Sequence, residues 1–162
     1  MSHLEIGLVD TLTTGTVGPQ GQRVFYLQAT AEGQTFTLRL EKTQVLAMAE
    51  HLANLLEDLP EIQVQDWTSA PDLVEPVEEI WRVGVMGAMY DSNSDEIVVM
   101  AEEVNEDPDS ADAATATFRL ARAITLAFIE RAHEVVDAGR PPCQWCNRPL
   151  NYGEDGFCIC WN

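Results

Sequence analysis

Lysine is almost missing from this chain. Lys42 stands alone, the other eight bases are arginine, and 27 acidic residues face them for a formal charge of −18 over 162 residues. A surface so poor in bases argues against nucleic acid or anionic lipid as a partner, since both are held by clustered Lys and Arg. Long apolar runs are missing too. No stretch approaches the ~20 residues of a membrane helix, and Met1 to Gly18 shows no basic segment followed by an apolar one, as a signal peptide would. The expectation is a cytoplasmic protein without membrane contact, in a compartment that keeps thiols reduced. Catalytic signatures are also lacking. There is no G-x-S-x-G elbow, and the glycines from Gly15 to Gly21 are not followed by the Lys-Ser/Thr of a phosphate loop.

What is present can build a core, at 46% hydrophobic residues. Val24 to Thr30 and Thr35 to Leu40 alternate with period two about a turn at Glu32-Gly33, which predicts a hairpin. Val45, Met48, Ala49, Leu52, Leu55, Leu56 and Leu59 then form the stripe of an amphipathic helix, with Thr43 as its predicted N-cap and Pro60 as its stop. An acidic, proline-containing connector covers 60–79. Strand patterns resume at Ile80–Tyr90, with Trp81, Val83, Val85 and Met89 on one parity, and at Ile97–Ala101. A second acidic connector leads to the alternation Thr115–Leu120 and a helix carrying Ile124, Phe128, Ala132 and Val135, with Gly139 as its C′ residue.

Residues 35–56 laid on 115–136 share seven identities in 22 pairs, among them Arg39 with Arg119. The fold class expected is therefore α+β: an antiparallel-rich sheet from two strand-strand-helix units, repeated over about 20–59 and 80–138, with both helices on one face. This domain would occupy residues 1–140, leaving 141–162 as a small zinc-binding module.

The chain's four cysteines, Cys143, Cys146, Cys158 and Cys160, fall in that last segment as C-x2-C-x11-C-x-C. A C-x2-C turn presents two sulfurs to one side of an ion, and Asn147, Pro149, Asn151, Gly153 and Gly156 suit a chain that turns back to deliver the second pair. Four thiolates predict a structural zinc ribbon or knuckle, because no coordination position remains open for substrate. A tetrathiolate iron centre satisfies the same spacing. A thioredoxin-type redox pair does not, since its C-x2-C opens a helix whereas this one follows two prolines. So short a segment has little core, so metal binding and folding should be coupled.

The run Ala138-Gly139-Arg140-Pro141-Pro142-Cys143, with Cys146, Pro149 and Leu150, resembles the C-terminal end of an uncharacterised bacterial family of domain-of-unknown-function proteins common in actinobacteria. The resemblance extends through Gly15-Thr16-Val17-Gly18, Gly21-Gln22-Arg23, Leu27-Gln28-Ala29, Leu40-Glu41-Lys42 and Arg82-Val83-Gly84. Members of that family end the module with His-x-Cys where this chain has Cys158-Ile159-Cys160. The resemblance implies a metal site and no reaction.

Other constellations carry less. Asp91, Asn93, Asp95 and Glu102 occupy calcium-loop positions, but Glu96 stands where the loop needs Gly, so a solvated turn is expected. His3, His51 and His133 are isolated. Arg39 and Arg119 are equivalent in the repeat and are candidate contacts for an anion or an acidic peptide, with salt bridges to Glu41, Glu102 or Glu103 as the plainer expectation. The leading functional expectation is a non-catalytic protein-interaction or adaptor module. The alternative is an enzyme on a small anionic substrate, anchored by Arg39 or Arg119 with Glu41 or Glu103 as base. Nucleic-acid binding through the ribbon would have just Arg140 and Arg148 to use. Protein isolated without chelator is expected to carry one zinc per chain by elemental analysis; an intact, metal-free tail would remove the assignment.

Overall fold

Seven strands and two helices form because the chain alternates β-branched and aromatic residues over six to eleven positions and then switches to helical spacing twice. The computed structural model describes residues 2–19, 21–61, 67–107, 109, 112–138 and 145. The strands are β1 (His3–Leu8), β2 (Thr11–Val17), β3 (Val24–Ala31), β4 (Gln34–Leu40), β5 (Trp81–Asp91), β6 (Glu96–Glu103) and β7 (Thr115–Leu120). The helices are α1 (Lys42–Glu57) and α2 (Arg122–Asp137). No helix among the described residues is long and apolar enough to cross a membrane.

The sheet is mixed, and this corrects the antiparallel-rich expectation. Its order is β1-β7-β6-β5-β4-β3-β2. Two antiparallel meanders, β2-β3-β4 and β5-β6-β7, meet at a parallel seam where β5 lies beside β4, and β1 adds a second parallel pairing beside β7. The physical reason is the crossover: α1 and the connector carry the chain far enough to re-enter alongside β4 in the same direction, which a tight turn cannot do. Each unit therefore has three strands before its helix, not two.

The sheet's two edges, β1 and β2, are consecutive in the chain. The Val9 N–H still donates to the Arg119 carbonyl at 2.9 Å, and the next N–H, of Asp10, donates to Thr30 on the opposite edge at 2.7 Å. One extended segment thus supplies both edge strands, and the sheet between them is rolled. Leu4 and Ile6 of β1 face Leu27, Ala29, Phe36 and Leu38 of β3 and β4 across the interior, with Ala116 and Phe118 of β7. The core continues through Leu40, Ile97, Val99 and Leu120 to the helices' buried stripes, Val45, Ala49 and Leu52 on α1 and Phe128, Ala132 and Val136 on α2.

The registers of the two units coincide. Thr13, Gln28 and Thr37 lie across β2, β3 and β4 as Gly87, Met100 and Thr117 lie across β5, β6 and β7. The helices are crossed over, since α2 lies along β2 and α1 along β5, and the two helices touch. A matching contact fixes each. Arg131 Nε on α2 donates to the Thr14 carbonyl at 3.0 Å, while His51 Nε2, 80 residues earlier on α1, meets the Ala88 carbonyl at 2.8 Å.

Two local expectations change. The N-cap of α1 is Glu41, whose side chain accepts from the backbone of Gln44 while the Gln44 side chain accepts from the Glu41 N–H at 2.7 Å, a capping box. Thr43 lies inside the helix. In β5 a register shift between Val83 and Val85 breaks the parity: Trp81 and Val83 are buried, whereas Val85 and Met89 point outward. Gly84 sits at that irregularity, where an added Cβ would lie 2.9 Å from the Cα of Val104.

The connector following α1 returns over the outer face of the first unit. Thr13 Oγ1 donates to the Pro71 carbonyl at 2.5 Å, Gln28 exchanges two bonds with the Val74 backbone at 2.8 and 3.1 Å, and Leu73 lies over Gly15. Gln28 also donates to Thr37 Oγ1, which completes its amide. These polar side chains are buried and satisfied by the strap's backbone, so the strap belongs to the folded unit. Gln28→Ala should strand the Val74 groups at a cost of about 1–3 kcal/mol. Urea unfolding would read the loss, and faster amide exchange at 72–74 than in β3 would locate it.

Candidate functional site

Arg119 leaves the outward face of β7 at the seam with β1 and meets the β5–β6 hairpin. Its NH1 donates to Asp91 Oδ2 at 3.1 Å, Glu96 Oε1 at 3.2 Å and Ser94 Oγ at 3.3 Å. The expected salt bridge is there, but with hairpin carboxylates and not with Glu41, Glu102 or Glu103. A second link of the same network follows. Arg122, in the first turn of α2, donates through Nε to Asp95 Oδ1 at 2.9 Å and through NH1 to the Pro60 carbonyl, while Tyr90 donates its hydroxyl to Asp95 at 2.6 Å. Asp95 adopts a left-handed φ of 56°, as turn residues of its kind can.

These contacts account for the shifted ionisations. The Arg119 hydrogen bond holds Asp91 below the usual carboxylate range, and the bonds from Tyr90 and then Arg122 do the same for Asp95. The bond to Asp95 raises the Tyr90 phenol, and the carboxylates raise both guanidiniums. The calcium-loop positions are thus spent on arginine, tyrosine and backbone: Asp91 Oδ1 accepts from the Asn93 N–H at 3.0 Å.

Arg39 occupies the opposite seam. It lies in register with Arg82 of β5 and lines a polar cleft of about 510 Å³ with Glu79, Arg82, Glu103, Glu106 and Asp107. Arg82 pairs with Glu106 at 3.5 Å, and Glu103 accepts from the Ala114 N–H at 3.0 Å. The two candidate arginines therefore serve two separate sites, and Glu41 is occupied as the cap of α1. Cys143, Cys146, Cys158 and Cys160 lie outside the described residues. Among the described residues no group of His, Cys, Asp and Glu is arranged to hold a metal.

A cavity of about 620 Å³ opens between the two helices. Ala53, Leu56, Leu59, Leu126 and Ile129 form apolar walls, Trp67 stands at one side, and Glu57 and Glu61 mark the rim. Arg122 borders it, but its donors are already engaged, so it fixes the wall by tying Pro60 to the hairpin. The volume lies within the usual ~300–1,000 Å³ of ligand sites. Sequence reading missed this groove because Leu56, Leu59 and Ile129 look like ordinary core positions on either helix. That both stripes are wider than the core requires becomes evident once the helices lie side by side.

A family model described as a protein of unknown function (DUF3090) matches residues 5–158. No curated protein and no solved structure matches the chain.

The network has a pH signature. Both aspartates are held below their unfolded values, so their contribution is present above the unfolded pKa and disappears as pH falls from about 4 through the depressed values. Arg119→Met should weaken stability at pH 7 and flatten its loss between about pH 4 and 2, as read from urea midpoints across that range.

Proposed function

We propose, for a chain that belongs to this family of unknown function, a non-catalytic binding module whose partner is a protein segment with apolar residues on one side and basic residues on the other. The segment docks in the groove between α1 and α2. The observation that carries this reading is the joining of apolar walls to an acidic rim, Glu57 and Glu61, in a chain of charge −18. Apolar contact supplies affinity in such a groove, while the rim and the overall field favour bases and repel anions.

The C-terminal module 141–162 belongs to the same reading as a structural element. Its donor set is four thiols, which suits zinc in a closed tetrahedral site and leaves no position for chemistry. The two helices and the strands just before them, offset by 80 residues and matched in register, are read as a duplicated unit, expected over about 20–59 and 80–138, whose first copy begins at β2. The enzyme alternative would have to use the Arg39 cleft. There, Glu79, Glu103, Glu106 and Asp107 outnumber Arg39 and Arg82, so an anionic substrate meets a net negative surface.

A photocrosslinking residue in place of Asn54 should capture a protein through a segment of that composition. The yield should fall with added salt and drop at least tenfold in Ala53→Trp, which fills the groove. Equal capture from the same residue placed at exposed Glu134, or adducts to small molecules alone, would sink the reading.

A further inference from the structure

The outer faces of the two units differ in the side chains they carry at matching registers. Behind α1 the chain crosses β2, β3 and β4 and buries the row Thr13, Gln28 and Thr37, none more than 4% exposed. At the same registers the second unit carries Gly87, Met100 and Thr117. Met100 is 53% exposed, and its neighbours Val85 and Met89 are 67% and 57% exposed. All three project from one face, because Val85, Gly87 and Met89 alternate along β5 and Met100 lies opposite Gly87. Contiguous apolar exposure of this kind calls for a cover.

The chemistry of the row specifies that cover. Gln28, which bonds the first strap's backbone, corresponds to Met100; Gly15, which makes room for Leu73, corresponds to Met89. A polar, indented face has become an apolar, raised one. Its complement offers aromatic and aliphatic side chains, with which methionine thioethers pack well.

We propose that residues 139–162 of the same chain cross the outer face of β5, β6 and β7, as residues 67–80 cross that of β2, β3 and β4. The place of this segment in the chain supports it. α2 ends at Asp137, 80 residues after Glu57 ends α1, and 139–162 follows α2 as the strap segment 58–80 follows α1. The first strap reaches its seam at its end, where the Ile80 N–H donates to the Thr37 carbonyl at 2.8 Å. The composition also fits: Leu150, Phe157, Ile159 and Trp161 supply the apolar groups that the face lacks. Trp145 is 69% exposed. Metal is not required for the docking. Thiolates gathered on zinc would set the segment's own shape, while the sheet sets its location.

The full-length chain with a photocrosslinking residue at Met100 tests the proposal. The expected product is an adduct within one chain, mapped to a peptide from 139–162. Adducts joining two chains, or none within a chain, would overturn it. In Met100→Glu, an outward substitution that leaves the core alone, amides of 139–162 should exchange at least tenfold faster while β5 to β7 keep their protection. Unchanged exchange would overturn the proposal equally. Repeating the crosslink on chelated protein separates it from the metal assignment, because an adduct that persists without metal upholds the docking whatever the tail binds.

Discussion

A single extended segment, His3 to Val17, pairs with both edges of the sheet, and everything else in the fold is arranged around that double engagement. Its first half satisfies β7 and its second half satisfies β3, with the change of partner made between the N–H groups of Val9 and Asp10. Without this segment β7 and β3 would expose rows of backbone donors and acceptors, which its two halves satisfy. The same segment brings Leu4 and Ile6 to the small space lined by Leu27 and Phe36. β5 plays the equivalent part in the second unit, pairing briefly with β4 and then at length with β6.

The parts of this arrangement that sequence discloses are the local ones. Phe36, Leu38 and Leu40 alternate cleanly, and the stripe from Val45 to Leu59 is helical by spacing alone. β2 is another matter. Its inward positions are Leu12, Thr14 and Thr16 and its outward ones include Thr13, so apolar alternation is absent although Thr13 and Thr14 are both buried. Thr14 is buried because α2 lies on it, and Thr13 because the strap does, which are facts about distant segments. The parallel seams were illegible for a related reason. Pairing Arg39 with Arg82 or Leu8 with Arg119 depends on where a crossover lands, and no periodicity in either strand encodes that. The inverted parity of β5 comes from one irregularity at Gly84, which period-two counting carries through as if the strand were regular.

Candidate sites were legible as residue types and not as groupings. Arg39 and Arg119 are equivalent in sequence and in register, yet their surroundings differ because their neighbours across the seam differ. Arg119 faces Leu8 and reaches the hairpin carboxylates, whereas Arg39 faces another arginine. The groove between the helices has no motif at all. It is formed where α1 and α2 lie side by side, with Leu56, Leu59, Leu126 and Ile129 lining it.

Near-identical registers carrying different side chains show how one framework can hold two kinds of surface. Where Gln28 and Thr13 stand, the outer face binds backbone and needs a strap of defined hydrogen-bonding geometry. Where Met100 and Gly87 stand, directionality is gone and what remains is area, which tolerates many apolar partners and selects weakly among them. Selectivity on the rest of the molecule then has to come from charge. With 27 acidic residues against nine bases, and with Arg119 and Arg122 internally committed, the surface field is set almost entirely by carboxylates. The groove edged by Glu57 and Glu61 combines both properties, apolar area and negative sign, and this combination distinguishes it from the polar cleft at Arg39 and from the methionine face.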